Sequence, residues 1–145
     1  MTATPIDGAR AASAMDLLDG ARASLVEAGR ADRVRTRYLH SQLAALRAGA
    51  AVVALRGHRD DTRGLTSVWD LVPAVAPELG EWSSFFALST SRRHRVEHGV
   101  EHVTPRDADD LLRQSADFVV IVAETLGLPA ASAAGVPCAA LVGWS

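Results

Sequence analysis

Apolar residues recur three and four positions apart through most of this chain, the spacing of one helix face. From Ser13 onward, Ala14, Leu17, Leu18, Ala21, Leu25 and Ala28 keep that spacing and predict a helix that stops at Gly29. A second helix is expected from about Asp32, as its N-cap, to Arg56, with Gly57 ending it. It carries two apolar stripes: Leu39, Leu43, Leu46, Ala50, Val53, and Val34, Tyr38, Ser41, Ala45, Ala48, Val52, Leu55. Two stripes predict a central helix with neighbours on two sides, and the many Ala and Gly residues of its second half permit close approach. Ser67 or Thr66 caps a short helix, Val68–Val72, that Pro73 and Pro77 kink or break. Pro77 suits the first position of the next helix, with Trp82, Phe85, Phe86 and Ser89 on one face, running through Arg92–His98 to Gly99. The last helix opens on Thr104-Pro105-Arg106-Asp107, repeats Ala108, Leu112, Ser115, Val119, Val122, Leu126, and ends at Gly127 and Pro129.

Residues 1–12 are expected as a flexible N-terminal arm and the polar stretch from Gly57 to Thr66 as a mobile, solvated connection. Residues 129–145, rich in Ala, Gly and Pro, read as a loose tail in which Leu141, Val142 and Trp144 are candidates for docking. The chain has no segment of period two, no hairpin turn between apolar runs and no repeat. Short loops between long helices then predict an all-α, up-and-down bundle of four to five helices over residues 13–128.

A length of 145 residues and 48% hydrophobic content fit one folded domain. The net charge of −2 excludes a strongly basic nucleic-acid binder but leaves room for a local basic patch. The charge is uneven: residues 1–63 hold 10 Arg against 7 acidic residues, and residues 64–145 hold 5 Arg against 10. Every basic residue other than His is Arg, as a GC-rich genome would produce. Cys138 stands alone, which excludes an internal disulfide and a cysteine-zinc cluster. The N-terminus lacks the basic and apolar regions of a secretory signal, and the apolar runs fall short of the roughly 20 residues of a membrane span. A cytoplasmic protein without membrane contact is the expectation.

Candidate chemistry gathers in Ser91–Gly99, where Arg92, Arg93 and Arg95 alternate with His94 and His98. Arg offers the forked donors that bind phosphate, and His transfers protons near neutral pH. The same residues also suit a solvated helix end, where cations complement the helix dipole. His94, His98 and His102 step by four, but Gly99 interrupts the helix and no carboxylate completes a set, so no metal and no cofactor are expected. Arg33, Arg35 and Arg37 do not share a helix face and read as solvated surface. Arg47 sits among apolar residues; it is expected to be buried against an acid such as Asp117 or Glu124, or to line a dimer cleft and bind there. Trp69, Trp82, Phe85 and Phe86 suit core packing better than base stacking.

The run Arg93-His94-x-x-x-His98-Gly99, followed by a Thr-capped helix with Asp107-Ala108-x-x-Leu111-Leu112, resembles the C-terminal half of HEPN domains. Their motif is an Arg, four to six residues, then a His; Arg93 and His98 match with four between, and Arg92 gives a spacing of five. The stretch Ser41–Ala48 looks like the long second helix of small stand-alone HEPN proteins from GC-rich bacteria. The resemblance spans about residues 13–128. It implies a four- or five-helix bundle, usually a homodimer whose motifs face one cleft. It further implies RNA or nucleotide binding, or metal-independent RNA cleavage in which a 2′-hydroxyl attacks the adjacent phosphate. Arg93, His94 and His98 would then be catalytic, with Arg92, Arg95 and Arg47 as binding residues. Other family members do no chemistry and bind partner proteins, including one encoded nearby, and that reading stays open beside the first.

Overall fold

The computed structural model describes residues 5–57, 64, 65 and 67–129. Five α-helices account for most of them: α1 (Pro5–Arg30), α2 (Val34–Arg56), α3 (Val68–Val75), α4 (Gly80–Glu97) and α5 (Pro105–Leu126). A 3-10 turn, Pro77–Leu79, leads into α4. No strand occurs among the described residues, so the expected all-α bundle is what forms.

Bonds between helices give their directions. Arg47 on α2 reaches Gly20 and Ser24 on α1, while Arg37 reaches Ala28, so α1 and α2 run antiparallel. Arg37 bonds Asp109 and Arg56 bonds the Thr125 carbonyl, so α2 and α5 run parallel. Gln42 meets Thr90, and Arg35 meets the Glu97 carbonyl, so α4 runs against α2. The result is an up-and-down arrangement with α2 touching α1, α3, α4 and α5.

The residues that α2 buries explain that position. Ser41, Ala44, Ala45, Ala48, Gly49, Ala51 and Val52 are small, and helices approach closely across them. At Gly49 a Cβ would stand 2.8 Å from Val68 Cγ1 and 3.1 Å from the Trp69 ring. Around Trp69 the aromatic core joins three helices: its ring lies 5.2 Å from Phe86 and 5.9 Å from Phe118, and Trp82 lies 5.5 Å from Phe118. The core reading therefore holds for Trp69, Trp82 and Phe86. Phe85 departs from it: although its ring meets Phe86 edge-on, it is 42% exposed.

Several boundaries differ from the sequence expectation, each for a local reason. Helix α1 starts at Pro5 rather than Ser13, so much of the expected arm is helical. Pro at the first helical position lacks no needed donor, and Ala9, Ala11 and Ala12 favour continuation. Asp32 does not cap α2; the N-cap is Arg33, with no side-chain bond. Pro73 does not break α3, which runs on to Val75. Its missing N–H leaves the Trp69 carbonyl without a helical partner, and the buried Ser83 hydroxyl on α4 donates to that carbonyl at 3.0 Å. The last helix agrees in detail. Thr104 and Asp107 form a reciprocal capping box, and Gly127 at φ 67° lets the Leu128 and Gly127 amides bond the Ala123 and Glu124 carbonyls. The expected mobile connection at 58–63, residues 1–4 and the tail from 130, with Cys138, Leu141, Val142 and Trp144, lie outside the described residues.

The close approach at Gly49 is directly testable. Gly49→Ala is expected to destabilise the fold by about 1–3 kcal/mol, the usual cost of overpacking, although alanine is the better helix former. A denaturant or thermal melt checks it, and a more stable variant would show that α3 gives way freely.

Candidate functional site

Helix α4 delivers the Arg/His segment, and a buried polar contact sets its rotation. The Thr90 hydroxyl accepts from the Gln42 amide at 2.8 Å and from the Trp69 indole at 3.0 Å, and donates to the Phe86 carbonyl at 3.0 Å. With Thr90 fixed against α2 and α3, Arg92 points toward α5 and Arg93 toward a flank.

Arg92 is the most constrained of the cations. Its Nη2 donates to Asp107 Oδ2 at 2.8 Å, and its Nε lies 3.0 Å from Glu101 Oε1. The guanidinium also sits over the Tyr38 ring, 5.7 Å from its centre. One side chain thus joins α2, α4, the connection after α4 and the first turn of α5. Asp107 is held below the usual carboxylate range, first by Arg92 and then by the Thr104 amide. Glu101 is lowered too, chiefly by Arg95, whose Nε donates to Oε2 at 2.8 Å. Burial pushes the Tyr38 phenol up, against the opposing pull of Arg92.

Arg93 is held one turn along its own helix, its Nε donating to Glu97 Oε1 at 3.0 Å; this hydrogen bond is the main reason Glu97 is lowered. Arg35 from α2 donates to the Glu97 carbonyl at 2.9 Å and caps the end of α4. His94 and His98 are exposed. His98 Nδ1 lies 2.7 Å from the His94 carbonyl oxygen. A carbonyl only accepts, so Nδ1 is the donor in this contact, and Nε2 has no hydrogen-bond partner among the described residues. Gly99 takes φ 71° and turns the chain, which removes His102 from the step of four.

The expected residues therefore share one helix end but not one face. Arg93 and His98 lie about 140° apart around the α4 axis by helical geometry. The concave feature beside them is a groove of about 540 Å³ between α4 and α5, lined by Tyr38, Phe85, Leu88, Arg92, Asp107 and Arg113 among others. Arg92 enters it; Arg93, His94 and His98 do not. Arg47 is elsewhere altogether. Its Nη1 donates to the Gly20 carbonyl at 3.2 Å and to Ser24 Oγ at 2.7 Å, and among the described residues neither Asp117 nor Glu124 pairs with it. The side-chain-free surface of Gly20 makes room for it, since a Cβ there would touch Arg47 Cδ at 3.4 Å.

Sequence reasoning missed Tyr38, Glu97, Glu101 and Arg35 as parts of this site, and it saw Asp107 only as a cap. The spacing of Arg93 and Glu97 signals an i,i+4 pair, but nothing local links Tyr38 or Glu101 to Arg92.

Arg92→Ala is expected to cost about 1–2 kcal/mol, the scale of hydrogen bonds to charged groups reduced for partial exposure. The Asp107 and Glu101 pKa values are depressed by folding. Their stabilisation is thus complete above the unfolded carboxylate values, about 4, and disappears as pH falls through the folded ones. Melting temperatures should fall more steeply between pH 5 and pH 3 in the native chain than in Arg92→Ala. Equal slopes would show that Arg92 does not hold Asp107.

A family model described as HEPN-like matches residues 28–123, which includes α2 to α4 and most of α5. Comparison with curated proteins and with solved structures returns no match.

Proposed function

Since the chain belongs to the HEPN family, we propose that it binds RNA or a nucleotide through the exposed end of α4, as a homodimer. The observation that carries this reading is the placement of His98. Its ring is oriented by a backbone carbonyl at Nδ1, and Nε2 has no hydrogen-bond partner among the described residues, on the same helix end as His94 and three Arg residues. An imidazole so held is ready to exchange a proton, and Arg forks beside it suit a phosphate.

On an RNA substrate, His98 Nε2 would take the proton of a 2′-hydroxyl as its oxygen attacks the adjacent phosphorus. The bond from phosphorus to the 5′-oxygen breaks, and His94 supplies a proton to that leaving oxygen. Arg93 would stabilise the crowded phosphorane. Because Arg93 and His98 of one chain face apart, a second copy would bring its Arg93 to the phosphate on which His98 of the first acts.

A second reading, a HEPN-fold interaction module without chemistry, draws on a different observation. Glu97, Glu101 and Asp107 match Arg93, Arg95 and Arg92 one for one, which leaves little net positive charge for a polyanion.

Cleavage of short RNAs separates the two. The first reading expects activity that survives EDTA, products ending in 2′,3′-cyclic phosphate, and resistance of 2′-O-methyl substrates. His98→Ala should lose about 100- to 10,000-fold, the scale of one acid or base, with an unchanged melting temperature. Arg93→Lys should also suffer, because an ammonium cannot replace a fork. Activity that persists in Arg93→Ala/His98→Ala contradicts the mechanism. Absence of both cleavage and binding favours the interaction module.

A further inference from the structure

Phe85 is the aromatic residue of α4 that the core does not take in. Its ring is held edge-on by Phe86, 5.0 Å between centres, and stays 42% exposed. It lines the end of the α4–α5 groove that lies away from the Arg/His segment. The backbones of the two helices stand apart. Beneath the groove they meet through the Phe86 and Phe118 rings, 4.9 Å apart, and at its near end through Arg92 and Asp107. At about 540 Å³ the opening has the size of a small-ligand site.

The groove's charges and its open polar group restrict what fits. Arg92 pairs with Asp107 and Arg113 with Asp110, so the ions on the walls cancel and favour a neutral group over a phosphate. The exposed apolar side chains, Phe85 and Leu88, lie about 4.5 Å apart along the α4 axis. A partner helix sets its i to i+7 anchors over roughly 10 Å, whereas a flat ring suits the shorter span. Toward the α4 terminus, Tyr38 lines the groove at 3% exposure. Its hydroxyl is not sealed from solvent, yet it enters no hydrogen bond among the described residues. Burial favours its protonated form, so it can donate as well as accept. Along the axis Arg92 stands about 9 Å from His98, and Phe85 about 20 Å. A strand continuing from the α4 end into the groove therefore passes Arg92 and Tyr38 before it reaches Phe85.

We infer that the groove receives a base of the same RNA strand whose phosphate lies at the end of α4, stacked on Phe85, with Tyr38 hydrogen-bonded to a nucleotide in between. Every base has a π-face, so stacking of this kind adds affinity without sequence preference. It also adds affinity that charge does not supply, on a surface where Arg92, Arg93 and Arg95 are each matched by a carboxylate. The inference rests on the RNA reading above and adds the path of the strand.

Calorimetric titration with two probes separates the levels. Octa-adenylate spans the distance to Phe85 even when stacked at roughly 3.4 Å per nucleotide; di-adenylate does not. Phe85→Ala should raise the Kd of octa-adenylate about ten- to a hundredfold, the scale of one stacked base, and leave that of di-adenylate unchanged. Phe85→Trp should bind octa-adenylate as tightly as the native chain. Tyr38→Phe, which keeps the ring, should raise its Kd about fivefold, the loss of one hydrogen bond. Both losses should be the same at low and high salt, whereas binding as a whole weakens with salt. Octa-adenylate bound equally by the native chain, Phe85→Ala and Tyr38→Phe, but more weakly by Arg93→Ala/His98→Ala, overturns the groove and leaves the α4 end standing. Binding of neither probe overturns both. Phe85 and Leu88 NMR signals that shift when the protein alone is concentrated would assign the groove to a protein partner and likewise overturn its use for RNA.

Discussion

Everything in this bundle is arranged around how closely other helices come to α2. Its buried residues are mostly Ala, Gly and Ser, with Val52 and Tyr38 at intervals, so four helices find room against one. Close approach has two consequences. Gly49 brings the Val68–Trp69 edge of α3 onto the α2 backbone, and Trp69 then becomes the ring on which Phe86 and Phe118 meet. The polar residues of α2 also come within bonding reach of its neighbours: Gln42 of Thr90, Arg37 of Asp109, Arg35 of the Glu97 carbonyl.

Those polar contacts connect packing to the candidate site. Thr90 accepts two hydrogen bonds from buried donors and fixes the turn of α4 about its axis. Two residues later Arg92 reaches Tyr38, Glu101 and Asp107. Its role is to anchor the end of α4 to the start of α5, so that His94 and His98 are presented from a rigid support while staying open to solvent. Partly buried ion pairs of this kind are costly to break, because the remaining charge loses its partner. The carboxylates that anchor the Arg residues also moderate the positive charge of the surface. Any phosphate bound there has to compete with Glu97 and Glu101 for the same forks.

The helices were legible where local signals agree. Thr104, Asp107 and Gly127 mark both ends of α5 by their own chemistry, and the two apolar stripes marked α2 as central. Helix starts that depend on propensity alone were less so: α1 begins at Pro5 because nothing stops it there, and Pro73 stays helical because Ser83, ten residues on, satisfies the orphaned carbonyl. The Arg/His segment was visible, and so was its place before α5. Its internal assignment was not. Which of three adjacent Arg residues turns inward depends on the rotation of α4, set by Gln42 and Trp69 far away in sequence. Arg47 illustrates the same limit, since the gap that receives it is made by Gly20 on another helix.

We propose that the end of α4 is where this protein meets RNA or a nucleotide. Amide and imidazole NMR spectra, followed while a short ribo-oligonucleotide is added, test it most directly. The account predicts shifts concentrated in residues 92–102, with both the His94 and His98 rings moving and the changes weakening as salt is raised. Resonances there that stay still at millimolar ligand, or shifts gathered on the α1 surface around Arg47, would contradict it.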